Sequence, residues 1–219
     1  MKPDYWIDRW KDGNIRFHDA DPHRFLIEYF PHLNTRIDDS ILVPLCGKSV
    51  DMTWIMSQSR NVVGVELSEI AIESFVEENN LIHTKSVGGE FAAYQGDRFK
   101  IFNGDLFHMS ETDVCGIKAV YDRGSFVALP SGGLRERYAD WMALNLSTGC
   151  KVLLVTFNFD QEEMAGPPFT ANRKTIHQLF EKDFSITMLK SELVVNIKPH
   201  CKERGLKTLR EDVYLLERF

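Results

Sequence analysis

Short apolar runs of strand length alternate with helix-like stretches along this 219-residue chain. The first run covers residues 41–45, and the second, Asn61–Glu66, reads NVVGVE and is rich in valine. Between them the sequence predicts a helix over residues 51–59. Such alternation is typical of βαβ units with parallel strands, and it predicts an α/β fold with a doubly wound, mostly parallel sheet.

The same pattern continues to the end of the chain. Ser68 is a favourable N-cap for a helix reaching residue 79, and Ile72, Phe75 and Val76 share one face of that helix. Two further helices are predicted over 134–146 and 173–181. Five more strands are predicted over 99–102, 117–122, 151–157, 185–189 and 213–219. The last two strands can pair as a C-terminal antiparallel hairpin.

Composition narrows the functional classes. The formal net charge is -6 and the pI is about 5.7, so the chain carries no bulk positive field for nucleic acid. The apolar runs are far shorter than a membrane span, and residues 1–13 lack the apolar core of a secretory signal. The four cysteines form no CxxC pair. We expect a cytoplasmic protein with reduced thiols, and one domain over 1–219, because the length suits one core.

The residues after the first strand contain Gly47-Lys48-Ser49, the ending of a phosphate-binding loop. That motif also requires a glycine five residues before Gly47, where Leu42 stands. A nucleoside triphosphatase is therefore not expected. Because ligands of doubly wound sheets bind beyond the carboxyl ends of the strands, Gly47 remains a candidate cofactor contact.

Glu66 ends the second strand, nineteen residues after Gly47. This is close to the spacing at which an acidic residue meets a ribose in nucleotide-binding βαβ folds. A carboxylate can accept hydrogen bonds from two vicinal hydroxyls. The sequence therefore predicts Glu66 as a ribose ligand.

Two further candidate sites follow the third and fourth predicted strands. Asp105 can accept a hydrogen bond from an adenine amino group while Leu106 packs on the ring. The alternative for Asp105 is a turn residue bonded to its own backbone. Arg123 places a planar cation at the ligand edge, and its alternative is a surface pair with Asp122.

Aromatic residues cluster near the amino end, where Trp6 and Trp10 lie one helical turn apart. This stripe favours ordinary packing, and its functional version is a lid whose indole covers the cofactor. Phe17 and His18 would belong to the same lid. The histidine spacings predict no metal site, and no G-x-S-x-G motif supports a hydrolase.

Several motifs together resemble the thiopurine S-methyltransferase family, in its bacterial type. The matching blocks run through most of the chain: WIDRW at 6–10, VPLCGKS at 43–49, VGVELS at 63–68, YDRG at 121–124, GPPF at 166–169 and VYLLE at 213–217. The resemblance implies a Rossmann-like class I methyltransferase sheet of seven strands. It also implies a monomer, with residues 1–35 as a lid-like helical segment.

The same resemblance implies S-adenosyl-L-methionine as cofactor and an aromatic or heterocyclic thiol as acceptor. The implied cofactor contacts are Trp10, Leu45, Gly47, Glu66, Asp105, Leu106 and Arg123. The implied acceptor contacts are Phe17, Arg123, Pro167 and Phe169. The segment between residues 191 and 209 resembles the family less, and His200, Arg204 and Lys207 are candidates there for a cation facing the acceptor.

An aromatic thiol is acidic enough to react largely as thiolate, so no strong general base is required. His18 and Asp19 are the candidates for a water-mediated proton relay. Two alternatives remain open. One is methyl transfer to other small acceptors, including selenium and tellurium oxyanions. The other is a nucleotide-binding oxidoreductase, which would be expected to carry G-x-G-x-x-G after its first strand.

Overall fold

The computed structural model describes residues 4–219, which divide into two compact units between Tyr121 and Asp122. Residues 1–3, part of the predicted lid-like segment, lie outside the described residues. The first unit opens with helices α1 (Asp4–Lys11) and α2 (Arg24–Tyr29), and a 3₁₀ helix, Phe30–Leu33, follows. The boundary between the units falls inside strand β6 (Ile117–Arg123).

The sheet of the first unit is mostly parallel in its centre. Its further elements are β1 (Ser40–Val43), α3 (Val50–Ser57), β2 (Asn61–Glu66), α4 (Glu69–Glu78), β3 (Thr84–Gly88), β4 (Phe91–Gln95) and β5 (Phe99–Asn103). The strand order is β3-β4-β5-β2-β1-β6, with β5, β2, β1 and β6 parallel. Strands β3 and β4 are antiparallel additions at the edge.

Helix α4 shows how an N-cap residue and an apolar face in the sequence lead to a helix packed on the sheet of this unit. Ser68 Oγ accepts a hydrogen bond from the Ala71 N–H, and therefore caps the helix as expected. The predicted face of Ile72, Phe75 and Val76 is buried. The Phe75 ring meets the Phe99 ring of β5 edge-on, with centroids 6.1 Å apart. The apolar stripe of the helix therefore packs on the sheet.

The second unit is built on an antiparallel sheet. Its elements are α5 (Ser125–Ala128), α6 (Leu134–Asn145), β7 (Lys151–Asn158), α7 (Arg173–Phe180), β8 (Phe184–Leu193), α8 (Pro199–Glu203) and β9 (Arg210–Arg218). Strand β9 pairs antiparallel with both β7 and β8. The predicted C-terminal hairpin is therefore confirmed, with longer strands than expected.

The α/β fold class is confirmed, and two details differ from the prediction. Nine strands are present among residues 4–219 instead of seven, because the apolar pattern did not reveal the β3–β4 hairpin. Strand β1 ends at Val43 rather than at Leu45, since the chain turns there and Leu45 has a φ of 45°. Leu45 therefore belongs to the turn after β1.

Candidate functional site

The carboxylate of Glu66 is fixed where the parallel strands of the first unit end. Its Oε2 accepts a hydrogen bond from the Gly47 N–H at 2.8 Å, and its Oε1 accepts from the Ser68 N–H at 2.8 Å. Its main-chain carbonyl accepts from Asn103 Nδ2 and from the Gly104 N–H, each at 3.0 Å. The turn after β1 and the end of β5 are thus both bonded to Glu66.

Glu66 is only 6% exposed, and burial raises the pKa of its carboxyl while the amides of Ser68 and Gly47 oppose the rise. Each carboxylate oxygen has about two acceptor positions, and one amide occupies one of them. One position on each oxygen therefore remains for a hydroxyl. This capacity fits the two vicinal hydroxyls of a ribose.

The turn between β1 and α3 brings an aromatic side chain against a glycine. Gly47 has a φ of 52°, in the left-handed region where glycine is favoured. A Cβ added there would lie 3.0 Å from Trp10 Cζ2, so the indole covers the main chain of the turn. The structure therefore brings three of the predicted cofactor residues together: Trp10, Gly47 and Glu66.

The sulfur of Cys46 is enclosed within the same turn. A Cβ added to Gly64 of β2 would lie 2.8 Å from Cys46 Sγ, so the thiol packs on that glycine. The Cys46 N–H donates to the Val65 carbonyl at 3.1 Å. Burial and the nearby charge of Glu66 raise the pKa of the Cys46 thiol well above its usual value.

The amino-terminal aromatic residues form an edge-to-face cluster. The Phe17 ring contacts Trp6 and Trp10, with centroids 5.6 Å apart in both pairs. Trp10 is buried, whereas Phe17 is 41% exposed. The aromatic rings therefore pack on one another, as the sequence favoured. Through Trp10 the cluster also lies against the Gly47 turn, which the lid interpretation requires. His18 and Asp19 follow it and are half-buried.

Asp105 lies just past β5, and the turn alternative describes its geometry. Its Oδ1 accepts from the Phe107 N–H at 3.0 Å and caps the 3₁₀ helix Leu106–His108. Leu106 is buried. This bond uses one carboxylate oxygen of Asp105.

Asp51, at the start of α3, is a buried residue that the sequence did not single out for the site. Its Oδ1 accepts from the His23 N–H at 2.7 Å, and its Oδ2 accepts from the Tyr121 hydroxyl at 3.0 Å. It therefore ties the segment before α2 to the helix that follows the Gly47 turn. Its one signal in the sequence is its place just after the VPLCGKS block, in a dipeptide, Asp51-Met52, that also resembles the family.

In the second unit, the turn after β6 is held by a buried carboxylate. Asp122 Oδ1 accepts from the N–H groups of Ser125 and Phe126 at 3.2 Å each, and Oδ2 accepts from the Tyr138 hydroxyl at 2.6 Å. Burial raises the pKa of the Asp122 carboxyl. Because Asp122 is fully buried, the surface pair with Arg123 is wrong. Arg123 itself is half-buried at the end of β6.

The GPPF loop, defined as residues 165–170, has its carbonyls bonded to arginines. Arg135 of α6 donates from Nη1 to the Thr170 carbonyl at 2.7 Å and from Nη2 to the Phe169 carbonyl at 2.9 Å. Its Nε donates to the Phe126 carbonyl at 3.3 Å. Arg135 is only 2% exposed, and burial lowers its pKa to about 10, so it stays charged at neutral pH. Sequence reasoning missed this residue.

The cap segment, residues 194–209, packs on the other end of the GPPF loop. It shares an apolar cluster with the preceding chain: Phe159, Met164, Ile197, Cys201, Leu206 and Leu209. Arg204 donates from Nη1 to the Pro167 carbonyl at 2.9 Å and from Nη2 to the Ala165 carbonyl. The predicted candidate cation Arg204 is therefore bonded to the loop itself. The main-chain N–H of Lys207 donates to Glu163 Oε2 at 2.9 Å.

Residues 4–219 contain neither a cluster of metal-ligating side chains nor a membrane-spanning helix. No group of three His, Cys, Asp or Glu side chains there could hold a metal ion. Every helix in that range is too short or too polar to cross a bilayer.

Two solved structures with a similar fold are methyltransferases. One, a SAM-dependent methyltransferase from Anabaena variabilis, matches with a TM-score of 0.66 at 14% identity, over 99% of this chain and 95% of that chain. Another is the 1,6-didemethyltoxoflavin-N1-methyltransferase of Burkholderia thailandensis, solved with S-adenosylhomocysteine, with a TM-score of 0.65 at 14% identity over 99% of this chain and 86% of that chain. The fold is that of S-adenosylmethionine-dependent methyltransferases.

Sequence comparison gives the family within that class. The family model for thiopurine S-methyltransferase matches residues 1–219. The thiopurine S-methyltransferase of Azotobacter vinelandii is 38% identical over 218 residues, covering 100% of both chains. That of Nitrosospira multiformis is 36% identical over 216 residues, covering 99% of this chain and 98% of the relative. The chain belongs to the thiopurine S-methyltransferase family.

Family membership confirms the resemblance and two of its implications. The protein is an S-adenosylmethionine-dependent S-methyltransferase, and S-adenosyl-L-methionine is its cofactor. The oxidoreductase alternative is thereby set aside. The Glu66 carboxylate, with acceptor positions for two hydroxyls, fits the ribose of this cofactor.

Proposed function

We propose that the protein transfers the methyl group of S-adenosyl-L-methionine to the sulfur of aromatic or heterocyclic thiols, thiopurines among them. The names of its curated relatives support this acceptor class. The observation that carries the proposal is the pair of 2.8 Å bonds from Gly47 and Ser68 to Glu66, which orients a buried carboxylate with two acceptor positions left.

The cofactor residues are proposed as the resemblance assigns them. Glu66 binds the ribose hydroxyls, and Trp10, Leu45 and Gly47 contact the cofactor at the turn after β1. Asp105 has its second carboxylate oxygen to accept from the adenine amino group, and Leu106 supplies apolar surface for the ring. Arg123 is the proposed cation at the end of β6. S-adenosylmethionine supplies an electrophilic methyl group carried by a sulfonium sulfur.

The protein residues have mainly a positioning task at the acceptor. Holding a nucleophile about 3 to 3.5 Å from the carbon it attacks contributes several kcal/mol through orientation alone. We assign that task to Phe17, Pro167 and Phe169, together with Arg123. A cation near the acceptor lowers the pKa of a thiol and favours the thiolate. His18 and Asp19 are proposed to pass the displaced proton to solvent through water.

The remaining properties are proposed from composition and family. The chain acts as one domain over 1–219, with residues 1–35 as its lid-like segment, and the family match over 1–219 supports this. We place the enzyme in the cytoplasm as a monomer that binds neither nucleic acid nor membrane, in keeping with its net charge of -6. Light scattering on a sizing column tests the monomer directly, and a second, heavier species would contradict it.

Methyl transfer from labelled S-adenosylmethionine to a small panel tests the function. The panel comprises 6-mercaptopurine, thiophenol, selenite and tellurite, and Glu66→Ala is the control. We expect label on the two aromatic thiols and its loss in the control. Label on selenite or tellurite alone would favour the alternative acceptors. Cofactor binding without any labelled acceptor would overturn the acceptor class and leave the cofactor site intact.

A further inference from the structure

The GPPF loop depends on outside donors for its shape. Proline has no N–H, so the stretch through Pro167 and Pro168 contributes carbonyls without matching donors. An arginine presents several N–H donors in a rigid fork and can satisfy two neighbouring carbonyls at once. Four carbonyls of this loop are bonded in that way: those of Ala165 and Pro167 by Arg204, and those of Phe169 and Thr170 by Arg135.

The two arginines that bond to the loop carbonyls differ in their burial. Arg135 is buried, and its guanidinium also lies over the Phe126 ring, 4.9 Å from the ring centroid. Removing a donor from such a place leaves part-buried carbonyls of the loop without a partner, which is costly. Arg204 is exposed, so water can replace it at the carbonyls that it holds. The Phe169 half of the loop is therefore fixed, and the Pro167 half can be released.

Release of the Pro167 half involves the cap segment. Gly205 has a φ of 106°, and a Cβ added there would lie 2.5 Å from the Glu163 carbonyl, so the cap backbone touches the chain just before the loop. The Lys207 N–H bonds to the Glu163 carboxylate. The cap segment and residues 163–167 thus form one contact, which Arg204 closes at the loop.

We propose that Arg135 and Arg204 each position one half of the GPPF loop, and that Arg204 sets the range of acceptor sizes through the adjustable half. This inference rests on the proposed function, because it takes Pro167 and Phe169 as acceptor contacts. Arg135 fixes the Phe169 half for every acceptor. Arg204 holds the Pro167 half close, which favours small rings over large ones.

The first test is the selectivity of Arg204→Ala between thiophenol and 2-naphthalenethiol. We expect kcat/KM for thiophenol to fall about fivefold relative to that for 2-naphthalenethiol, the factor equivalent to about 1 kcal/mol or one hydrogen bond. The KM for S-adenosylmethionine should not change. Lys202→Ala, an exposed change in α8 two residues before Arg204, is the matched control and should leave the ratio unchanged. Arg204→Lys, which keeps a single donor group, should have a selectivity ratio between those of the wild type and Arg204→Ala.

The second test is amide hydrogen exchange on the whole protein, and it needs no acceptor. In Arg204→Ala, the amides of Glu163 and Lys207 should exchange faster while those of Phe169 and Thr170 keep their rates. Arg135→Lys should show the reverse pattern. An unchanged selectivity ratio overturns the inference. Faster amide exchange in both halves of the loop in both variants also overturns it. A wild type that methylates no thiol counts against the proposed function instead, and exchange then still decides whether the two halves are held separately.

Discussion

The main-chain N–H of Gly47 donates a hydrogen bond to Glu66 Oε2 across 2.8 Å, which joins the turn after β1 to the last residue of β2. Because Gly47 also lies against Trp10, this glycine contacts both the Trp10 indole and the buried Glu66 carboxylate. Changes at any of these three residues should therefore affect cofactor binding together.

Replacing Glu66 by Ala should weaken binding of S-adenosylmethionine by at least about 30-fold, or about 2 kcal/mol. The reason is the loss of two hydrogen bonds to a charged acceptor, each worth roughly 1.5–3 kcal/mol. Isothermal titration calorimetry measures the affinity. Glu73→Ala, on the exposed side of α4, is the control and should bind normally. Unchanged affinity in Glu66→Ala would remove the ribose assignment.

Cofactor affinity should fall on mild acidification. Burial raises the pKa of Glu66, so protonation of the folded protein begins above the usual value of about 4.3. A protonated carboxyl loses acceptor capacity for the ribose. Titrations between about pH 5 and 8 should show this fall in the wild type and no matching step in Glu66→Gln.

The contribution of Glu66 to folding stability should depend on pH in the opposite direction to the cofactor affinity. Its pKa is raised in the folded state, so the folded chain holds a proton that the unfolded chain has released. The contribution is therefore present at low pH and is lost as pH rises through the folded pKa. Urea unfolding of the wild type and Glu66→Gln across this range gives the difference. A difference independent of pH would contradict the raised pKa.

Gly47→Ala should weaken cofactor binding and lower stability. The new Cβ costs about 1–2 kcal/mol in the left-handed region and also displaces the Trp10 indole. Gly13→Ala is a matched control, because Gly13 has a φ of 64° and an added Cβ there meets nothing within 4 Å. Gly13→Ala should lower stability by the backbone cost and leave the cofactor affinity unchanged.

A double-mutant cycle isolates the contact between the glycine and the indole. In a Trp10→Leu background, Gly47→Ala should cost about 1 kcal/mol less in cofactor binding than in the wild type, because the atom it displaces is gone. Calorimetric affinities of the four proteins give this number. Additive effects would mean that the indole does not contact position 47.

Arg135→Met should destabilise the protein by about 3 kcal/mol. Three carbonyls would lose their donor, and those of Phe169 and Thr170 would keep no partner from α6. Arg137→Met, an exposed change on the same helix, should stay within about 0.5 kcal/mol. Urea unfolding followed by circular dichroism measures both. Equal stability of the two variants would show that Arg135 does not hold the loop.

Much of the fold could be predicted because the strands are apolar and periodic. Strand β2 was predicted with its observed bounds, Asn61–Glu66, and the C-terminal hairpin was expected. The β3–β4 hairpin was missed because every residue of β3 is exposed, so no apolar alternation marks it. Strand β1 was predicted two residues too long, since nothing local shows that Leu45 adopts a positive φ.

The geometry of the candidate site was predictable where an acidic residue stands at a strand end. Glu66 is such a case, and its spacing from Gly47 became a direct hydrogen bond. Arg135 was not predictable in this way. A basic residue in a helix is usually solvated, and its burial depends on carbonyls 34 and 35 residues further along the chain. Long-range partners of this kind leave no local pattern.

The packing of Cys46 has a consequence for an enzyme that methylates thiols. A thiolate beside a sulfonium donor is a competing nucleophile, and reactivity follows the fraction of thiolate. Burial and the charge of Glu66 keep Cys46 as the neutral thiol, with its sulfur turned onto Gly64. The carboxylate proposed to bind the donor would thus also suppress self-alkylation, so that the turn can carry a cysteine without inactivating the enzyme over repeated turnovers.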